Sequence, residues 1–375
     1  MRVLLTGAAG FVGKHVHAEL LQRGYEVHGI DCYIPQVHGD GPVEVEGVER
    51  LRVMDLVERW ALKPSEKYDA VIHLAAEVGV GQSQFEPARY VGNNVSETAL
   101  LWEAILKHKS EVQSVVVASS MSIYGEGSYK DKYGRWYEGG VRRAFTPYRD
   151  PPRWNLFLDE RDNGIALWPI PTPERKRPEP SSVYALTKYD TEMYSLLLGE
   201  AHKIPTAALR FFNILGEGQA PSNPYTGVAV NFGTMVRNGH DPLVFEDGKQ
   251  ARDFIHVDDV ARAVCDALGH QGTYNVCTGV PTTVLKVAEM WCDWARNHGI
   301  EVYPNVTGKF RSGDIRACIG DHDAFTAETG WKPKVPFEDA FQRLAEWLWS
   351  LPGEKVVDHN PEMLAELRGQ GLVDV

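Results

Sequence analysis

The 375-residue chain is poor in cysteine, with only Cys32, Cys265, Cys277, Cys292 and Cys318. The number is odd, the spacings are wide and no C-x-x-C occurs, so neither a disulfide framework nor a cysteine zinc site is supported. Its histidines show no H-E-x-x-H or similar ligand spacing, and no metal is expected. No apolar run reaches membrane-spanning length, so no membrane partner is expected. Basic residues are in deficit, 39 Lys and Arg against 51 Asp and Glu, and the net charge of −12 argues against nucleic acid as a partner. No internal repeat is present. The first strand begins at residue 2, which leaves no room for a signal peptide, and a reducing, cytoplasmic setting is expected.

What the chain does have begins at once. An apolar run, Arg2–Thr6, enters Gly7-Ala-Ala-Gly10-Phe-Val-Gly13 and then a helical stretch. Gly7 suits a tight turn, Gly10 lets backbone approach a pyrophosphate, and Gly13 permits close helix–strand packing. The helix start offers N–H groups and a positive dipole end to phosphate. The spacing is G-x-x-G-x-x-G, and glycines of this kind can also solve packing alone. A second strand, Glu26–Ile30, leads into Asp31, 18 residues after Gly13. An acid there holds a ribose 2′-OH and repels a 2′-phosphate, which points to NAD.

Strands are expected at Arg2–Thr6, Glu26–Asp31, Arg52–Met54, Ala70–Leu74, Ser114–Ala118 and Thr206–Phe211, and helices at about Phe11–Arg23, Glu86–His108 and Ser182–His202. The alternation predicts an α/β protein with a Rossmann-type doubly wound parallel sheet, whose ligands bind at the strand carboxyl ends. The NAD-binding domain is expected to span 1–212. After about residue 213 the segments become short and turn-rich, so 213–375 reads as a smaller mixed α/β lobe with some segments returning to the sheet. Residues 125–180 form a long insert rich in Tyr, Trp, Arg and Pro; its aromatics favour an ordered flap over a linker.

Tyr184-Ala-Leu-Thr-Lys188 puts a phenol and an ammonium on one helix face. A nearby ammonium and a positive nicotinamide ring would lower the tyrosine pKa, and such a tyrosine can exchange a proton with an alcohol while hydride moves. The same spacing also arises from a surface lysine beside a half-buried tyrosine. The run Val115-Val-Val-Ala-Ser119-Ser120 is a strand ending in hydroxyls; a serine there can bond a reacting oxygen, or cap the next turn.

Taken together these features resemble the extended short-chain dehydrogenase/reductase superfamily, in its NAD-dependent epimerase/dehydratase group. The resemblance rests on Gly7/Gly10/Gly13, Asp31, Asp55-Leu56, His73-Leu-Ala-Ala76, Asn94, Ser119-Ser120-x-x-x-Tyr124-Gly125, Tyr184/Lys188 and Arg210-Phe-Phe-Asn213. It continues through Arg252-Asp-Phe-Ile-His-Val-Asp258-Asp259, Arg311-x-Gly-Asp314 and Thr329-Gly-Trp-x-Pro333. It implies a catalytic trio of Ser120, Tyr184 and Lys188. It implies an NAD site built from Gly7, Gly10, Phe11, Val12, Gly13, Asp31, Asp55, Leu56, Leu74, Ala75, Ala76, Asn94, Ser119 and Phe211, with Tyr184 and Lys188. A nucleotide-sugar site would use Ser120, Ser122, Asn213, Val228, Phe245, Arg252, Arg311 and Asp314. Guanidinium groups suit diphosphate oxygens, and Phe245 matches an aromatic that lies against a pyrimidine base. The resemblance also implies a homodimer paired through the two long helices.

Dehydratases of this group place Asp-Glu just after the catalytic hydroxyl residue; here Met121 and Ser122 stand there. The expectation is therefore a nucleotide-sugar 4-epimerase working through a 4-keto sugar on a dTDP- or UDP-linked hexose or deoxyhexose. A 4,6-dehydratase, a C4 oxidoreductase and a non-catalytic NAD-binding regulator are the alternatives. Tyr33–Gly39, Val78–Ser83, Met121–Gly127 and Gln219–Gly227 are similar to the dTDP-L-rhamnose 4-epimerase group, which shares the long insert. Two departures stand out: Val78 replaces a lysine of galactose epimerases, and Glu97 replaces a glycine in the helix after Asn94.

Overall fold

The computed structural model describes residues 1–39, 44–62, 66–108, 111–137, 154–156, 165–311 and 313–373. Seven runs form one sheet: Arg2–Thr6, Glu26–Asp31, Val48–Arg50, Ala70–His73, Ser114–Ser120, Thr206–Phe211 and Gly272–Val276. Their pairings are all parallel. In space the order runs from Gly272–Val276 through Thr206–Phe211, Ser114–Ser120, Ala70–His73, Arg2–Thr6 and Glu26–Asp31 to Val48–Arg50. The direction of winding reverses between Arg2–Thr6 and Ala70–His73, and a crevice opens there at the strand carboxyl ends.

Both faces of this sheet are covered, which is why two of its inner strands, Ala70–His73 and Ser114–Ser120, are buried at every position. Alternation along the first strand divides the core in two. Val3 and Leu5 pack with Val16, Leu20, Val260 and Val264 on one face. Leu4 packs with Leu56, Trp60, Leu101, Trp102 and Ile105 on the other. The architecture is the expected Rossmann-type α/β sheet with a mixed sheet beside it.

That second sheet runs Asn213–Leu215, Ala251–His256, Ala317–Gly320, Trp168–Thr172, Ser128–Lys130 and Trp136–Tyr137, with Pro281–Thr283 antiparallel to Ala251–His256. Its first pairings are parallel and its last antiparallel. The last three strands of that order come from the insert. Tyr129, Leu156 and Leu167 of the insert pack on Ala251, Ala317 and Ile319. Residues 138–153 and 157–164 of the insert lie outside the described residues.

Three local expectations change. The strand read at Arg52–Met54 is instead Val48–Arg50, and Val53–Leu62 is a helix. Val53, Leu56, Val57 and Trp60 recur at helical spacing and are buried together beneath the sheet. The strand at Ser114 runs on through Ser119 and Ser120. The helix read at Glu86–His108 is broken into Pro87–Tyr90, a π-helical turn at Val91–Ser96, and Glu97–Lys107. The Asn94 carbonyl in the π turn accepts from the hydroxyls of Thr98 at 2.5 Å and Thr191 at 3.0 Å.

Candidate active site

The first strand feeds its chain into the glycine turn at the mouth of the crevice. Gly7 has φ +71°, and a Cβ there would meet the Ala75 nitrogen at 2.8 Å. A Cβ on Gly13 would meet the Gly7 carbonyl oxygen at 1.9 Å. Gly10 caps the helix Phe11–Gln22 without any side-chain hydrogen bond and with no acid in the first turn. The N–H groups of that turn are left for a ligand, and the arrangement fits a dinucleotide diphosphate.

At the next strand end the Asp31 carboxylate accepts from the Ala9 N–H at 3.1 Å and the Tyr33 N–H at 2.8 Å. His38 Nε2 lies 3.4 Å from Oδ1. Burial works to raise the Asp31 pKa, but His38 and the two backbone donors outweigh it and hold the group below the usual carboxylate range. An ionised acceptor at this place fits a ribose hydroxyl and opposes a 2′-phosphate.

A cavity of about 590 Å³ runs from the glycine turn to the second sheet. Gly7, Gly10, Phe11, Val12, Gly13, Leu74 and Ala76 line its cofactor end. Ser120, Ser122, Tyr184, Phe211 and Asn213 stand in the middle, with Val228, Phe245, Arg252, Arg311 and Asp314 beyond. Arg252 and Arg311 converge on one carboxylate, at 2.8 Å and 3.3 Å from the two oxygens of Asp314. Val228 opens a second helix whose cap, Gly227, makes no side-chain hydrogen bond. Two cations and a helix start on one wall suit a diphosphate. The Arg311 guanidinium also lies 5.2 Å from the Phe245 ring centre.

Ser120 Oγ accepts from the Ser122 N–H at 3.2 Å and from the Ser122 hydroxyl at 2.8 Å. A hydroxyl has two acceptor sites and one proton, so Ser120 is left as a donor. Tyr184 follows on the helix Val183–His202, whose cap Ser182 accepts from the Ala185 N–H. The lowering expected of Lys188 and the nicotinamide ring together is not produced by the protein's own groups alone. Burial raises the Tyr184 pKa, a hydrogen bond with Ser120 works against it, and Lys188 is not among the causes. The desolvated phenolate outweighs the helix-face spacing. Burial also lowers Lys188 to about 8, opposed by the carboxylate of Glu192 one turn on.

Several residues of the expected site do not line the cavity. Asp55 is exposed on the first turn of its helix, while Leu56 is wholly buried in the core behind the sheet. Ala75 presses on Gly7, and its N–H donates to Thr6 Oγ1 at 3.2 Å. Asn94 clamps the chain after Ala76, accepting from the Glu77 N–H at 2.7 Å and donating to the Glu77 carbonyl at 3.0 Å. Ser119 points away and donates to Glu192 at 2.6 Å. Asp31 and Lys188 are buried and do not line the cavity either.

Residues 3–148 and 168–277 match the family model described as the NAD dependent epimerase/dehydratase family. A dTDP-L-rhamnose 4-epimerase of Burkholderia thailandensis is 32% identical over 357 residues, covering 92% of this chain and 94% of that one. The UDP-glucose 4-epimerase of Thermotoga maritima, solved with UDP-glucose, is 26% identical with a TM-score of 0.70, covering 93% of this chain and 99% of that one. The Thermus thermophilus UDP-glucose 4-epimerase, solved with NAD, is also 26% identical at TM-score 0.70, covering 94% and 100%.

The chain belongs to the NAD-dependent epimerase/dehydratase family. NAD is its cofactor, and its class is that of an NAD-dependent epimerase, an isomerase. A buried network starts at Glu192, one turn after Lys188 on the same helix. Arg210 pairs with Glu192 at 2.5 Å and donates to the Tyr124 hydroxyl at 2.7 Å, which in turn donates to Asn275 at 2.8 Å. The network ties the helix Val183–His202 to the strands Thr206–Phe211 and Gly272–Val276.

The family motifs did not draw attention to Lys14, Gln250 or the C-terminal helix Asn360–Gly369, all of which contribute to the cavity wall. Gln250 stands two residues before Arg252, the spacing that puts neighbours on one face of a strand. The helix carries Met363, Leu364 and Leu367, buried together with Phe245 and Tyr225 packed against them. It lies beyond the residues that the family model matches.

Proposed function

We propose that the chain is a nucleotide-sugar 4-epimerase acting on a pyrimidine nucleotide-linked hexose, with a dTDP-linked 6-deoxyhexose as the leading substrate. One observation carries this reading: Ser120 and Tyr184 share a cavity with Arg252, Arg311 and Asp314. A proton-transfer pair and a diphosphate anchor then face the two ends of one ligand. When bound, NAD supplies a hydride acceptor and donor at the sugar C4.

Tyr184 takes the proton of the C4 hydroxyl and later returns it. Ser120, held as a donor by Ser122, hydrogen-bonds the C4 oxygen as it becomes a ketone. Lys188 keeps a positive charge beside the tyrosine. Arg252, Arg311, Asn213 and the first turn at Val228 grip the diphosphate, so the sugar end turns while the nucleotide stays fixed. Binding energy at the nucleotide is thereby kept apart from the reacting carbon. Gly7, Gly10, Phe11, Val12, Gly13 and Asp31 would hold the dinucleotide.

The deoxyhexose assignment is supported by the Burkholderia thailandensis relative at 32% identity. Met121 and Ser122 speak against a dehydratase, because neither serves as acid or base near neutral pH. The test is C4 stereochemistry read by NMR after incubation with dTDP-rhamnose, UDP-glucose and UDP-galactose. Inversion of at least one is expected. Loss of water, net reduction of NAD, or no change with any of them would overturn the assignment.

A further inference from the structure

Three amide oxygens in the cavity wall, those of Asn213, Gln219 and Gln250, are buried without a hydrogen-bond partner among the described residues. Buried acceptors in native proteins are nearly always satisfied, and at a binding site the missing donor belongs to the ligand. Gln250 is the most constrained of the three. It is 2% exposed, and its Nε2 donates to the Phe245 carbonyl at 3.1 Å. That bond fixes which way the amide faces and leaves Oε1, an acceptor only, unsatisfied.

The loop that holds Phe245 is itself rigid. The Phe245 carbonyl also accepts from the Gly248 N–H at 3.1 Å. Glu246 sits at φ +54° with its carboxylate 3.1 Å from Arg316. Arg316 makes a two-pronged pair with Asp247, at 2.6 and 3.0 Å. An aromatic ring and an unsatisfied acceptor are therefore held at fixed positions in one wall.

We propose that Gln250 reads the nucleobase, its Oε1 accepting the N3–H of a pyrimidine-2,4-dione seated beside Phe245. The inference rests on the nucleotide-sugar reading and narrows it. Uracil and thymine carry a hydrogen on N3. Cytosine has a bare acceptor there, which would meet another acceptor. The site therefore takes uridine and thymidine diphosphates and rejects the cytidine analogue. A site built to hydrogen-bond a donor discriminates strongly against a ligand that lacks it.

The test uses the NAD-loaded protein and calorimetric titration with dTDP, N3-methyl-dTDP and dCDP. For the wild type, dTDP should bind at least about tenfold more tightly than either analogue. Gln250→Met keeps the side-chain length and removes the acceptor; it should bring the three affinities within about threefold of one another. Its circular dichroism and NAD affinity, measured alongside, should match those of the wild type. Equal binding of dTDP and N3-methyl-dTDP by the wild type overturns the assignment without recourse to any variant. So does a Gln250→Met protein that keeps the full preference. Nucleotide binding without base preference removes only the role of Gln250, whereas failure of every nucleoside diphosphate to bind removes the nucleotide-sugar reading as well.

Discussion

Ser120 and Tyr184 divide one task by their protonation. Ser120 has filled its acceptor sites with the two Ser122 donors, so it can only give a hydrogen bond. Burial raises the Tyr184 pKa, and the Ser120 bond works against burial by favouring the phenolate, the form that accepts a proton. Tyr184→Phe removes the exchangeable proton and leaves the diphosphate wall intact. Epimerisation should fall by a factor of about 10² to 10⁴, while nucleoside diphosphate affinity stays within about twofold. Turnover by NMR and titration calorimetry read the two effects separately; a matching loss of affinity would assign Tyr184 to binding. These two residues were legible because strand-end serine and Tyr-x-x-x-Lys are spacing signals. Gln250 was not, since a lone glutamine carries none and its unsatisfied oxygen is seen only once its Nε2 is bonded to the Phe245 carbonyl. The direction of the tyrosine shift within the protein alone was hidden for a related reason. Spacing shows that Lys188 shares the helix face, whereas the direction of the shift depends on burial.

Between elements, one buried histidine joins the glycine-turn strand to the π turn. The Ala75 N–H donates to Thr6 Oγ1, which lies 2.8 Å from His73 Nδ1, and His73 Nε2 lies 3.0 Å from Thr98 Oγ1. Thr98 spends its proton on the Asn94 carbonyl, so it must accept from Nε2–H. The ring is then neutral with Nδ1 accepting from Thr6. Burial, with Lys188 nearby, lowers its pKa to about 3. An unfolded histidine titrates near 6.5. As pH falls from about 6.5 towards 3, the unfolded chain gains a proton that the folded chain refuses, and stability drops by about 1.4 kcal/mol per pH unit from this residue. His73→Asn should flatten that slope in urea titrations between pH 7 and 5. It should also cost about 1–3 kcal/mol at pH 7 through the broken chain of bonds. An unchanged slope would show that His73 is not held neutral. The sheet order was readable from alternating apolar runs, but this stitching was not. The insert strands were hidden too, because Trp168–Thr172 pairs with Ala317–Gly320 and nothing local announces a partner so distant in sequence.

At the scale of the whole molecule, the cavity is bounded by two sheets that are latched together. His15, on the helix after the glycine turn, bonds Asp258 at 2.9 Å and the Glu217 carbonyl at 3.0 Å. Arg343 bridges Glu217 at 2.7 Å and Asp258 at 2.8 Å from the other side. These bonds tie the helix after the glycine turn to the start of the helix Val257–Asp266 and to the helix Phe337–Ser350. The opposite flank is less finished. The helix Val183–His202 exposes Leu186 at 49%, Tyr194 at 45% and Leu197 at 58%, and Val91 in the neighbouring π turn is 45% exposed. Leu186 and Leu197 stand three turns apart on one face. Apolar groups gathered on one helix face mark an interface, and a two-fold axis would bury each of them twice. Covering a leucine contributes about 1.5–3 kcal/mol, enough for these few positions to decide association. We therefore predict a homodimer paired through these helices. Sedimentation should give a dimer at micromolar concentration for the wild type and a monomer for the Leu186→Asp, Leu197→Asp double variant. NAD affinity should persist in the variant, because neither leucine lines the cavity; a wild-type monomer, or a variant that stays dimeric, would place the interface elsewhere or remove it.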